Sequence, residues 1–301
     1  MPLAPFIQVP SRGKDGSVIL GPDGRPVMGV AVNPVKLFVR GYWLIDPQNP
    51  AVTLLAGAQT ELRYLIDSQG HFDWATLIGN STGPYTLEFF DAGTNRRLQN
   101  RPVHSTTVVG SGMRPFRLPE PYFFNVGDSQ RELVCTIRNN IFGQTNTIRL
   151  VPYGRRFYHK EAPPDVAREI SRRFSEGQRT YSYFLTPRET NSDGTVTAVA
   201  GNGTATFTFD MDANADTDLQ KFMAVSTGAF TYQLRERATN RTLSNGVIRN
   251  TEGWGNAEFP FLVSDTYLLE RDKQLLCEVT DISGNSNSIF LTIAGRRLQY
   301  V

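Results

Sequence analysis

The second half of this chain repeats the first. Ser81-Thr82-Gly83 recurs as Ser226-Thr227-Gly228 at an offset of 145 residues. Thr94, Asn95, Arg96, Leu98 and Asn100 recur at the same offset as Thr239, Asn240, Arg241, Leu243 and Asn245. Pro115, Phe116 and Tyr122 keep it against Pro260, Phe261 and Tyr267. Cys135 and Cys277 stand 142 apart, and Asn146, Ile148, Gly154, Arg155 and Arg156 meet Asn287, Ile289, Gly295, Arg296 and Arg297 at 141. These changes of offset fall between matched segments, where loops tolerate lost residues. Two copies of one module therefore set the architecture before any single segment is interpreted.

Each copy is a series of short runs rich in Val, Ile, Thr, Tyr and Phe, separated by Gly, Asn, Asp and Pro. KLFVRGYWLI, TELRYLI, YTLEFF, RPVHSTTVV, RELVCTIR and NTIRLVPYG are the strand candidates of the first copy. RTYSYFLT, TATFTFDM, FTYQLRE, NGVIRN, QLLCEVT and NSIFLTIAG are their counterparts. Runs so spaced, with no helices between them, predict an all-β chain of two tandem antiparallel β-sandwich, jelly-roll-like domains. The first module is expected over 37–158 and the second over 179–301.

Residues 159–178 read as a helical linker. Pro163 and Pro164 suit a helix start, Asp165 favours its positive end, and Gly177 is a natural stop. Val166, Ile170 and Phe174 form one apolar stripe, expected to dock on a sheet or on a neighbouring subunit. Residues 1–36 have no counterpart in the second copy. They read as an arm with a hairpin, in which Gly21-Pro22-Asp23-Gly24 is the turn. Val18, Leu20, Val27 and Met28 on that arm are candidate docking residues, either folded back on their own module or reaching a neighbour.

The totals narrow the function classes. Thirty-one basic residues against 29 acidic ones leave a net charge of +2, with no long basic block, so no nucleic-acid partner is expected. No apolar run approaches the roughly 18 residues needed to cross a bilayer, and the N-terminal sequence does not read as a secretory signal, so no membrane partner is expected. Cys135 and Cys277 alternate with apolar neighbours and read as reduced thiols filling two separate cores.

No catalytic constellation is legible. His71, His104 and His159 are scattered, with no metal-ligand spacing, nucleophile elbow or phosphate-binding loop, so no enzyme activity and no cofactor are expected. Asp210, Asp212, Asn214, Asp216 and Asp218 could in principle wrap a calcium ion. Ala215 and Lys221 break the known loop pattern, and a solvated acidic loop explains the same residues. Arg155, Arg156, Arg296 and Arg297 end the last strand of each copy. They suit either an edge protected by charge or a surface docking on an acidic partner. In the T-N-R-x-L-x-N run, Asn95 and Asn240 fit a turn, Leu98 and Leu243 can point inward, and Arg96 and Arg241 are expected to pin the loop, with a ligand-binding role as the alternative.

The order of motifs resembles that of tailed-bacteriophage virion structural proteins. It is carried by Ser81 to Gly83, Gly93 to Asn100, Gly112 to Pro119 and Asn146 to Arg155, with a looser second copy that lacks the initial Gly of the turn motif. The resemblance implies a non-enzymatic β-sandwich component of the virion, many-copy, with the major capsid protein or other virion proteins as partners. A capsid cement or decoration protein is the leading expectation, and a head–tail collar, adaptor or tail component the second. A carbohydrate-binding module is the third, with Trp74 and Trp254 in or beside loops as stacking candidates.

Overall fold

Strand-forming runs pair here into two sandwiches of closely matched topology. The structure is a computed structural model describing residues 8–10, 28–30, 38–46, 48–125, 131–140, 143–177 and 179–299. The first sandwich contains β3 (Val39–Trp43), β4 (Val52–Leu54), β5 (Gln59–Leu65), β6 (His71–Ser81), β7 (Tyr85–Asp91), β8 (Arg96–Arg97) and β9 (Val103–His104). After a one-turn helix α1 (Ser105–Val108) it continues with β10 (Phe116–Phe124), β11 (Glu132–Asn139) and β12 (Asn146–Phe157). One sheet runs β10-β6-β12-β3, with β4 also on β12; the other runs β5-β11-β7, with β8 and β9 both on β7.

The linker helix α2 (Pro164–Gly177) leads to β13 (Thr180–Leu185), β14 (Thr204–Asp210), β15 (Ala215–Ser226), β16 (Phe230–Glu236) and β17 (Ile248–Arg249). A second one-turn helix α3 (Asn250–Gly253) precedes β18 (Phe261–Leu269), β19 (Gln274–Asp281) and β20 (Ile289–Gln299). The sheets run β13-β20-β15-β18 and β14-β19-β16-β17. Strands that alternate between two four-stranded antiparallel layers in this order form a jelly roll, so the expected class is resolved to that topology. Among the described residues no helix is long and apolar enough to cross a membrane.

The duplication extends to irregularities. In β6 the register slips so that Thr76 faces Tyr153 and Trp74 faces Gly154, leaving Ala75 as a bulge. In β15 it slips at the matching place, with Gln220 left out between Leu219 and Lys221. Gly154 and Gly295 face these bulges, and a Cβ on either would lie within 2.3 Å of the carbonyl oxygen of Asp73 or Asp218. Only glycine lets the strands approach so closely. Asn95 and Asn240 both take a φ of 56°, the left-handed turn geometry that asparagine tolerates.

Several expectations are corrected. The STTV part of RPVHSTTVV is helical, and β6, β10, β15 and β18 were not among the candidate strands. The cores are not separate: residues of both modules, Cys135 and Cys277 included, form one continuous buried cluster. Both thiols are free, and burial pushes both well above the ordinary thiol range. The stripe of α2 meets the first module's own sheet, where Val166, Ile170 and Phe174 bury against Phe157, with Phe123, Phe38 and Val39 around them. In the arm, β1 (Gln8–Pro10) pairs antiparallel with β2 (Met28–Val30), Val9 opposite Gly29. Val18, Leu20, Val27 and the Gly21–Gly24 turn lie outside the described residues, and Met28 is the first residue of β2.

Candidate interaction surfaces

The matched Gly-Arg-Arg triplets do not lie on an edge. β12 runs between β6 and β3, and β20 between β15 and β13. Each arginine instead meets a carboxylate at the repeat-matched position. Arg155 donates through Nε to Asp73 at 2.8 Å, and Arg296 through Nε to Asp218 at 2.9 Å. Arg156 pairs with Asp67, and Arg297 with Asp212 at 2.5 Å. Asp73 is fully buried; burial pushes its carboxyl above the usual range while the Arg155 guanidinium pulls it back. Asp210, the first acid of the acidic run, pairs with Arg188, and Asp216 accepts from the Arg271 backbone N–H. Only part of that run is a loop: Asp212 and Asn214 lie in the turn, while Asp210 ends β14 and Asp216 and Asp218 lie inside β15. Arg155 and Arg296 thus tie β12 to β6 and β20 to β15 within their sheets.

The two modules meet along β13. Phe184 lies fully buried in a groove of the first module, 6.1 Å from Phe89 and 6.0 Å from Phe116 between ring centroids. Its backbone N–H donates to the Leu98 carbonyl, and the Asn100 N–H donates to its own carbonyl. The Asn100 side chain holds Thr186 from both sides, donating to its carbonyl at 2.7 Å and accepting from its N–H at 2.8 Å. Ser182 bonds the backbone of Glu120 in the irregular part of β10, Thr107 and Thr292 share a hydroxyl bond of 2.9 Å, and the Ala257 N–H reaches the Thr106 carbonyl. Arg96 pins the contact, donating to Gln299 and covering the Tyr181 ring, so it spans the modules and does not merely pin its own loop. Lys221 donates to the Arg117 carbonyl from a site where burial lowers its ammonium pKa to about 8.

Each module therefore has a groove on one side and a face that plugs a groove on the other. The first module's groove is filled. Among the described residues nothing fills the second module's groove, a hollow of about 460 Å³ lined by Tyr232, Leu234, Leu243, Ile248, Phe261 and Leu262, with Glu252 beside them. Nor does any described residue cover the plug face of the first module. Trp43 and Ile45 are 54% and 46% exposed, and they border a second hollow with Ile78, Gly112, Val151, Asn80 and Arg149. Neither surface was recognised as a docking site from the sequence. The repeat offset was the signal that could have found them, because it identifies which copy lacks a neighbour. Trp74 is fully buried and Trp254 nearly so, which removes both as stacking platforms for a sugar.

The histidines are packed, not poised in a cleft. His71 lies 4.5 Å from His159 and 4.6 Å from Phe174 between ring centroids, and burial lowers its pKa to about 4. His104 sits at the module contact, 4.4 Å from Phe290, its Nδ1 2.8 Å from the Thr106 hydroxyl.

No protein-family model and no curated protein matches the chain. Among solved structures, the major capsid protein P2 of bacteriophage PM2 aligns over 87% of this chain and 98% of its own, at 8% identity and a TM-score of 0.44. PNGase F, a glycosylasparaginase from Flavobacterium meningosepticum, aligns over 87% and 96%, at 9% identity and a TM-score of 0.38. The VP2 subviral particle of infectious bursal disease virus aligns over 97% of this chain and 46% of its own, at 9% identity and a TM-score of 0.27. Capsid proteins and an amidohydrolase thus stand side by side at this distance, and a likeness so remote carries no argument about what this chain does.

Proposed function

We propose that this chain is a non-enzymatic structural component of a bacteriophage particle, present in many copies and held by contact surfaces. The observation that carries this reading is the pair of largely apolar hollows, one on each module, that no described residue fills. A soluble monomer rarely leaves two such patches open, whereas a subunit of an assembly needs them. The Gly-Arg-Arg arginines of both copies are taken up by repeat-matched aspartates, which supports a structural role for them. The narrower role is that of a capsid cement or decoration protein bridging neighbouring capsid subunits, with the major capsid protein as partner. Two modules locked by a shared core offer two faces at a fixed separation, which suits bridging, and repetition over a shell multiplies modest contacts.

Quantitative proteomics on purified particles tests both levels. The role in the particle requires the chain to be present, and its absence would overturn the reading. The cement role requires tens to hundreds of copies per particle. A count of about 6 or 12 would place it on the tail axis instead, where closed rotational symmetry sets such numbers.

A further inference from the structure

We propose that copies of this chain associate head to tail, with Trp43 of one copy seated in the open groove of the next. The internal contact is the template. Gly154 faces Tyr42 in β3, and its counterpart Gly295 faces Tyr183 in β13. Trp43 is therefore the counterpart of Phe184, and Ile45 of Thr186. On the other side, Leu98, Phe89 and Phe116, which surround Phe184, correspond at the offset of 145 to Leu243, Leu234 and Phe261. All three line the open groove.

The rest of the plug face corresponds too. Gly112 and Val151 match Ala257 and Thr292, which touch Thr106 and Thr107 inside the molecule. Both halves of one interface are thus present twice. One pair is satisfied within the chain, and the leftover halves sit one on each module. Asn245 is the counterpart of Asn100 at the offset of 145, and in the proposed contact it takes the backbone of the next copy's Ile45 as Asn100 takes that of Thr186.

The substitutions between the copies run both ways. Thr186 becomes Ile45, Thr292 becomes Val151 and Arg117 becomes Leu262, which is 61% exposed on the groove rim, while Phe290 becomes Arg149 on the plug face and Thr107 becomes Glu252 in the groove. The leftover halves thus keep an apolar centre and carry one added charge each. The internal pair is tethered and benefits from a high effective concentration, while free copies must offset lost translational and rotational freedom. Because plug and groove are different surfaces, the contact is heterologous, and it builds a ring if the rotation closes and a filament if it does not.

The inference stands on the repeat and is independent of the particle reading. Its test is the mass of the purified full chain by light scattering from about 1 to 100 μM, the range in which weak to moderate contacts saturate. Wild type is expected to exceed the single-chain mass, as a ring or a filament. Trp43→Asp and Leu262→Arg, both at exposed positions, are each expected to run as single chains with unchanged melting temperatures. Mixed in equal amounts they should give twice the chain mass and no more, because one intact plug and one intact groove remain. Trp43 is the exposed one of three tryptophans, so dilution of wild type should also shift its emission to the red. Single-chain mass for wild type throughout that range would overturn the proposal, as would a mixture that stays at single-chain mass. Either failure leaves the particle role standing, and absence from particles would leave the self-association standing.

Discussion

Asp73 shows how far a single side chain here depends on residues distant in the sequence. It is fully buried in β6 and takes hydrogen bonds from the backbone N–H and the guanidinium of Arg155, 82 positions later. Arg155→Met would strand that carboxylate, and removal of one partner from a buried pair typically costs about 3–5 kcal/mol. Arg155 is itself half exposed, so the lower end is expected, near 3 kcal/mol in urea unfolding. Adding Asp73→Asn to that variant should recover at least half of the loss, and an unrelieved loss would contradict the pairing. A second residue-scale prediction concerns His104, whose pKa burial lowers to about 4. Its unfolded value lies near 6.5, so between those values the unfolded chain binds a proton that the folded chain refuses. Stability should therefore be unaffected by this group above pH 6.5, fall as the pH drops toward 4, and change no further below that. The full effect is at most about 3 kcal/mol. His71 adds to it in the same direction. Urea midpoints of wild type and His104→Gln from pH 7 to pH 4 should converge as the pH falls, and parallel curves would contradict this.

At the level of elements, α2 owes its place to one stripe. Phe174 stacks edge-on against Phe123 and Phe157, at 5.1 and 4.8 Å, and lies flat against His71. Phe174→Ala should cost about 3–5 kcal/mol, and hydrogen exchange should rise first in α2 and the facing ends of β10 and β12. The helix was legible because a period near four residues and its punctuation are local signals, and most strands were legible through their own alternation. Two of the missed strands show why they were not legible. β10 carries Pro119 and Pro121, which read as breakers, yet the register jumps from Arg117 to Tyr122 and spares both from the ladder. The start of β15 reads as a solvated acidic loop because Asp218 is explained only by Arg296, 78 residues away. The β-branched Thr106, Thr107 and Val108 suggested strand, but tertiary contacts with the second module favour a helical turn. The Gly-Arg-Arg triplets were visible as a matched pair, while their role depended on the sheet order, which the sequence does not state. The groove and its plug were legible only as offsets, since no apolar residue in them is unusual by itself.

For the whole molecule, the shared core makes the two modules one cooperative unit. The Phe184 ring bridges them, lying between Phe89 and Phe116 of the first module while its strand belongs to the second. Wild type held as a single chain should therefore unfold in one calorimetric transition, with both sandwiches lost together. Phe184→Ala should lower stability by about 3–5 kcal/mol and separate the trace into two transitions, as the cavity uncouples the halves. Trp43→Ala, the same truncation at the repeat-matched position, should cost a single chain no more than about 0.5 kcal/mol, as exposed positions do. The same ring position would then act as an internal fastener in one copy and as an exposed plug in the other. If Phe184→Ala still melted in one transition, coupling would have to rest on the polar seam of Asn100 with Thr186 and Ser182 with Glu120. Asn100→Ala added to that variant should then split the trace.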